Sequence, residues 1–359
     1  MLSLTKFTPS GQPHLGRNEI YAAESYYSRV DRGERTDVVT VYDSKTLSPT
    51  AEIKIPNKVA ALPFRQYIGL LNEDKYLDEL LSAIDMQEKN GFLCEVVIVD
   101  SGSTDKTLDI AKKYKARVTH INKQDFTFGK SLNIGCKFAD GEYFVFISGH
   151  CIPVNKNWLQ DLIDPLIKNQ CDYTYGRQIG RDTTKFSENQ VFEKYFPKES
   201  DTPVNNIFCN NANSAITRIA WSKYQFDEEL TGLEDMFLAK QISQENGNIG
   251  YVENSIVYHI HDESWTQVKT RYERESIALQ KIMPEVTVSL LDALHFVLTG
   301  VFRDVRIALN QKVLLKELSS IILFRVMQYY GVYKGNHICR KLSHAAKMKY
   351  FYPKLKSDY

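Results

Sequence analysis

Residues 94–107 read CEVVIVDSGSTDKT. Cys94–Val99 has the length and β-branched content of a buried strand, and Thr107–Tyr114 reads as a helix. Between them lies a turn of small polar residues opening on Asp100. The same alternation extends outward in both directions. Before it, Tyr76–Gln87 places Leu77, Leu80, Leu81 and Ile84 at the spacing of an amphipathic helix. After it come a short strand at Val118–Ile121, a helix at Ser131–Phe138 and an apolar strand at Tyr143–Ile147. Strands alternating with helices predict an α/β domain with a parallel sheet over about residues 66–270.

The flanks differ in texture. Residues 1–65 are polar and turn-rich, and Asp37–Tyr42 with Ala51–Ile55 reads as a β-hairpin appendage. Residues 271–359 read as a helical extension: Arg271–Ile282, Leu290–Leu309 and Lys312–Tyr330, then a basic tail. The 359 residues allow two domains, or one large domain with extensions. With 43% hydrophobic and 25% charged residues the chain is neither disordered nor fibrous. A formal net charge of +1 gives no basic excess, so nucleic acid is not an expected partner. The six cysteines show no CxxC pair and no zinc-ligand spacing, and read as reduced thiols of a cytoplasmic protein. The longest weakly charged stretch, Val286–Phe302, is broken by Asp292 and His295, so no spanning helix is expected. The apolar positions of Lys312–Tyr330 and the basic tail predict peripheral attachment to an anionic membrane surface; a helix packed on the domain with a solvated tail is the alternative.

In an open α/β sheet ligands bind beyond the carboxyl ends of the strands, so the chemistry is sought there. Asp100, with Ser101, Gly102 and Ser103, can hydrogen-bond a base or ribose, while Ser103–Asp105 can equally cap the next helix. Ser148-Gly149-His150 follows the strand at Tyr143–Ile147, where a histidine suits a metal or phosphate, or equally serves ordinary packing and hydrogen bonding. His259 and His261 flank Ile260 after the run Ile256–Tyr258, and residues two apart on a strand share a face. Glu234-Asp235 opens a helix over Met236–Ser243; the pair either complements the helix N-terminus or supplies a general base.

Six ordered segments then carry a resemblance: IVDSGSTDKT, FGKSLNIG, FISGHCIP, FCNNANSAI, TGLEDMFLAKQI and HIHDESWTQVKTRYERE. In this order they resemble family-2 glycosyltransferases, and within them the bacterial rhamnosyltransferase-like members that build surface polysaccharides, over about residues 70–335. The resemblance implies a GT-A nucleotide-diphospho-sugar transferase fold, an inverting mechanism, a divalent cation (Mn²⁺ or Mg²⁺), and a glycan or lipid-linked acceptor. It implies that Asn72, Glu73, Asp100, Ser101 and Ser103 contact the nucleotide. Lys130 and Asn133 line the diphosphate and sugar, and Arg271 and Arg274 reach the leaving diphosphate. Ser148-Gly149-His150 stands where the family has its metal-binding Asp-x-Asp, with His259 or His261 as a late metal ligand. Glu234-Asp235 matches the acceptor-side acidic pair, with Asp235 as the base.

One departure is chemical. Ser148 replaces the first acid and His150 the last, and imidazole suits Mn²⁺ or other transition metals better than Mg²⁺. A site without both acids can instead bind metal weakly and leave that work to cationic side chains. A catalytically altered sugar-nucleotide-binding protein is therefore the alternative expectation. A second resemblance, of residues 19–73 to the methylamine/aralkylamine dehydrogenase heavy chain, implies a propeller-blade fragment that carries no activity.

Overall fold

The computed structural model describes residues 73–88, 94–204 and 206–337, together with the backbone of residue 93 and of the strands between residues 6 and 70. The chain divides into two units, Met1–Ala61 and Leu62–Tyr359. In the first, β1 (Lys6–Phe7) pairs with β2 (Pro13–His14), and β3 (Glu19–Ala22), β4 (Val38–Asp43) and β5 (Pro49–Lys54) form an antiparallel sheet. The hairpin expected at 37–55 thus has a third strand.

The second unit begins with β6 (Pro63–Leu70), so the division falls after Ala61 and not at residue 65. Then follow α1 (Asp74–Asp85), β7 (Leu93–Asp100), α2 (Thr107–Lys113), β8 (Arg117–His120), α3 (Phe128–Phe138), β9 (Tyr143–Ile147) and β10 (Cys151–Pro153). The chain continues through α4 (Trp158–Ile167), β11 (Tyr173–Ile179), α5 (Phe186–Tyr195), β12 (Asn213–Thr217), α6 (Arg218–Tyr224), α7 (Glu234–Gln244) and β13 (Ile249–His259). It ends with α8 (Trp265–Ile282), α9 (Leu290–Asn310) and α10 (Leu314–Asn336).

Eight strands form one sheet in the order β10-β13-β11-β12-β9-β6-β7-β8. Strands β9, β6, β7 and β8 run parallel to one another, as the alternating pattern predicts. The sheet as a whole is mixed, because β12 pairs antiparallel with both β9 and β11, and β10 pairs antiparallel with β13. Leu77, Leu80, Leu81 and Ile84 of α1 are buried on one face of the sheet beside Ile98, Val145 and Trp158. Val97, Val99, Phe144 and Phe146 point to the other face, among Trp221, Phe226 and Leu238. Each such side chain contributes about 1.5–3 kcal/mol on burial, and the strict alternation fixes which strand ends share an edge.

The helical region is part of the same unit. A Cβ on Gly331 of α10 would stand 2.4 Å from the Lys269 carbonyl of α8, so only glycine permits this close crossing. Ile321 and Phe324 are fully buried, and Phe324 meets Tyr272 of α8 edge-on. Part of the apolar pattern at 312–330 therefore serves packing on α8. Among the described residues no helix is long and apolar enough to cross a membrane. Cys94, Cys136, Cys151, Cys171 and Cys209 are free thiols; Cys339 lies outside the described residues.

Candidate active site

The carboxyl ends of β7, β9, β11 and β13 and the start of β12 gather the candidate residues. At β7, the Asp100 carboxylate is buried and accepts the backbone N–H groups of Gly102 (3.0 Å) and Ser103 (3.0 Å). Gly102, at φ +100°, makes this turn possible. His120 Nδ1 lies 3.4 Å from Asp100 Oδ2. Ser101 is buried and Ser103 half-buried. Asp105 takes the capping role: it accepts from Thr107 N (3.0 Å) and Asp74 N (3.3 Å), tying the first turns of α2 and α1 together. Asn72 lies outside the described residues.

On α3, Lys130 is a third exposed, with Nζ 3.9 Å from Asp125. Asn133 departs from its expected role. Its amide donates to Phe226 O and Glu228 Oε1, both at 2.9 Å, and accepts from Trp221 Nε1 and Phe226 N, both at 3.1 Å. Both amide protons are engaged, and the carbonyl carries two bonds of its own. Asn133 thus anchors the segment at 226–228 instead of reaching a donor.

Three histidines converge. A turn at 148–150 carries Ser148 half-buried and Gly149 buried; Ile260 N donates to His150 O (3.1 Å), and Cys151 pairs with His259 in the β10–β13 register. The ring centroids stand 4.0 Å apart for His259 and His261, 5.2 Å for His150 and His259, and 5.8 Å for His150 and His261. One potential ligand atom from each lies within 4.8 Å of the other two. Strand β13 ends at His259, so His261 reaches the cluster from beyond the strand rather than from its face.

Each imidazole has its Nδ1 beside an acceptor: Gln178 Oε1 at 2.6 Å for His259, Glu188 Oε1 at 2.7 Å for His261, and Glu73 Oε1 at 3.3 Å for His150. A ring fixed through Nδ1–H offers Nε2 as its lone pair, which is how metal-binding histidines are oriented. Burial pushes the His259 pKa far below its ordinary value, helped by its two histidine neighbours and Arg271, so it is neutral and able to ligate. Burial would also lower His150, but the charge and hydrogen bond of Glu73 raise it overall. The donor set fits a divalent transition metal.

Behind the histidines lies a network not foreseen from the sequence. Arg271 on α8 pairs with Glu188 (2.5 Å) and Glu263 (2.8 Å). Burial alone would raise Glu188; Arg271 and His261 hold it down to about 2. The Arg271 guanidinium is thus directed into two carboxylates, not toward a diphosphate. Arg274, one turn along α8, differs. Among the described residues its Nε is buried without a hydrogen-bond partner, and its guanidinium lies over the Phe128 ring at 4.8 Å. Burial lowers its pKa, partly offset by Glu275 and Glu234.

The acidic pair opens α7. Leu233 before it adopts φ +56°, a conformation rare for a branched side chain. Glu234 and Asp235 are both buried. Asp235 Oδ2 accepts the Asn211 N–H at 2.9 Å, and Oδ1 accepts Met236 N at 2.8 Å. Burial, then the Glu234 charge, push the Asp235 pKa well above the ordinary carboxylate value. Burial raises Glu234 too, with Arg274 acting against it. A carboxyl whose pKa is moved toward neutrality is suited to take a proton from a hydroxyl.

Residues 68–224 match the family model described as glycosyl transferase family 2. The matched stretch, under half of the chain, is similar to that family. An O-antigen chain rhamnosyltransferase of Salmonella typhimurium is 24% identical over 194 residues, half of this chain and 60% of that protein. The poly(ribitol-phosphate) β-N-acetylglucosaminyltransferase of Staphylococcus aureus is 25% identical over 232 residues, 62% of this chain and 38% of that protein. The chain therefore spans less than two thirds of these relatives. A mannosyltransferase of Pyrobaculum calidifontis, solved with GDP-mannose and Mn²⁺, superposes with a TM-score of 0.53 at 14% identity, covering 81% of this chain and 88% of that one. That likeness shows the GT-A fold. The resemblance of residues 19–73 to a dehydrogenase heavy chain is not borne out.

Proposed function

We propose that this protein is an inverting glycosyltransferase. It moves a sugar from a nucleotide-diphospho-sugar to a hydroxyl of a glycan or lipid-linked acceptor in surface polysaccharide synthesis. The observation that carries the reading is Asp235: a buried carboxylate fixed by two backbone N–H groups, beside a second acid that raises its pKa. Its curated relatives act on O-antigen and on poly(ribitol phosphate), which supports a polysaccharide acceptor.

Asp235 takes the proton of the acceptor hydroxyl as that oxygen attacks the anomeric carbon, and Glu234 keeps the Asp235 pKa high. The attack is a single displacement from the face opposite the nucleotide, so configuration inverts and no enzyme nucleophile is needed. Asp100 and its turn hold the nucleoside, with Ser101, Ser103 and Glu73 around it. Arg274 is the cation for the departing diphosphate, since its Nε has no partner among the described residues, and Lys130 assists. His150, His259 and His261 would hold a divalent cation, which when bound neutralises charge on the diphosphate; three imidazoles favour Mn²⁺ over Mg²⁺.

The test is a donor panel with mass readout. The protein is incubated with nucleotide-sugars, and binding is followed by thermal shift, transfer or slow hydrolysis by mass. Stabilisation by one nucleotide class with release of its diphosphate supports the reading. Absence of both with every donor removes it.

A further inference from the structure

Charge is unevenly divided along the chain. Residues 1–289 hold 33 Lys or Arg against 40 Asp or Glu, while residues 290–359 hold 12 against 4. The net charge of +1 thus hides an acidic catalytic part and a strongly basic C-terminal part. That basic part also carries an exposed apolar stripe.

The stripe lies on α9. Leu291, Leu294, Leu298, Phe302 and Leu309 recur at steps of three, four and seven, which places them along one side of a helix. They are 52–77% exposed. The opposite side of the helix is the packed one. Phe296 meets Tyr329 of α10 at 5.5 Å between rings, and buried Asp304 pairs with Arg325 of α10, Nε to Oδ2 at 2.7 Å. The helix is therefore apolar on its free side and anchored by its other side. The exposed Arg303 and Arg306 lie at its C-terminal end, Lys312 in the turn to α10 and Lys316 in the first turn of α10. Past α10, residues 338–359 add six Lys or Arg and one acid, with Tyr350, Phe351 and Tyr352 among them.

We infer that the free face of α9 docks on an anionic lipid surface, with leucines and Phe302 entering the interface and the cations facing lipid headgroups. Charge complementarity selects this occupant. A second copy would bring two surfaces of the same sign together, whereas an anionic bilayer presents the opposite sign across the whole patch. Placing the apolar contact on α9 moves it from the helix expected from sequence, where Ile321 and Phe324 are already buried. The inference stands apart from the transferase reading, since it is measured without substrate.

The experiment is sedimentation of the full chain with phosphatidylcholine vesicles, with and without phosphatidylglycerol. Binding should require phosphatidylglycerol and weaken at high salt. Leu298→Glu with Phe302→Glu should lower the partition coefficient by at least about tenfold with the melting temperature unchanged. Leu291→Gln with Leu309→Gln, at the two ends of the stripe, should lower it by a smaller factor and guards against a folding defect in the first variant. No binding by the wild type, or binding indifferent to both double variants, overturns the inference. So does a dimer seen by light scattering that the variants abolish, because the stripe would then face a second copy.

Discussion

The two halves of the candidate site treat buried charge in opposite ways. Around the histidines each buried charge meets its opposite: Glu188 lies between Arg271 and His261, and Arg271 between Glu188 and Glu263. Around Asp235 like charges adjoin, with Glu234 next to it and backbone N–H groups as its hydrogen-bond donors. The first arrangement holds groups in place. The second keeps a carboxyl away from its comfortable protonation state, which costs stability and gives reactivity. The contrast teaches that charge-paired and like-charged groups are kept at separate places, the first beyond β13 and the second at the start of α7, with Arg271 and Arg274 of α8 beside one each.

The contrast breaks first at Asp235. Asp235→Asn should lower transfer about 10²–10⁴-fold with donor affinity unchanged in a binding assay. The sign of its stability effect follows from the raised pKa. A carboxyl raised in the folded state stabilises only below its unfolded pKa, and that contribution is lost as pH rises. The Asn variant should therefore melt at or above the wild-type temperature at neutral pH. A lower melting temperature would return the pair to a capping role.

On the other side, chelation by EDTA, or His259→Ala, should lower transfer about 10–100-fold, and Mn²⁺ should restore the chelated wild type better than Mg²⁺. Full activity in EDTA would leave the histidines as packing groups. A stability measurement sharpens the same side. Glu188→Gln removes one partner of Arg271 and His261 and should cost about 3 kcal/mol in denaturant unfolding, whereas Glu234→Gln should cost little. The smallest effect concerns the N-terminal unit. Starting the chain at Leu62 should leave soluble yield and nucleotide affinity near wild type, because β6 and all that follows belong to the second unit. Loss of both would make residues 1–61 integral.

Much of the site is legible locally. Asp100, His150, Glu234, Asp235 and the His259/His261 pair announce themselves because each follows an apolar run or opens a helix. Gln178, Glu188, Glu263 and Asn211 do not. Gln178 reaches His259 only because β11 runs parallel to β13, and strand order is a long-range property that spacing cannot supply. The aromatic run Tyr173–Ile179, read as one more strand end, is the signal that would have pointed there. Asn133 errs the other way: a polar residue in a motif reads as a ligand until its partners Trp221 and Phe226 are seen. The free face of α9 escapes for a similar reason. A helix apolar on two sides shows periodicity without showing which side is covered.

The pH dependence of kcat for transfer tests the central claim most directly. If Asp235 is the base, only its ionised form works. Activity should then fall on the acid side with an apparent pKa clearly above the ordinary carboxylate value of about 4, as burial and Glu234 require. A profile flat down to about pH 4, or a limb that persists unchanged in Asp235→Asn, would contradict the account.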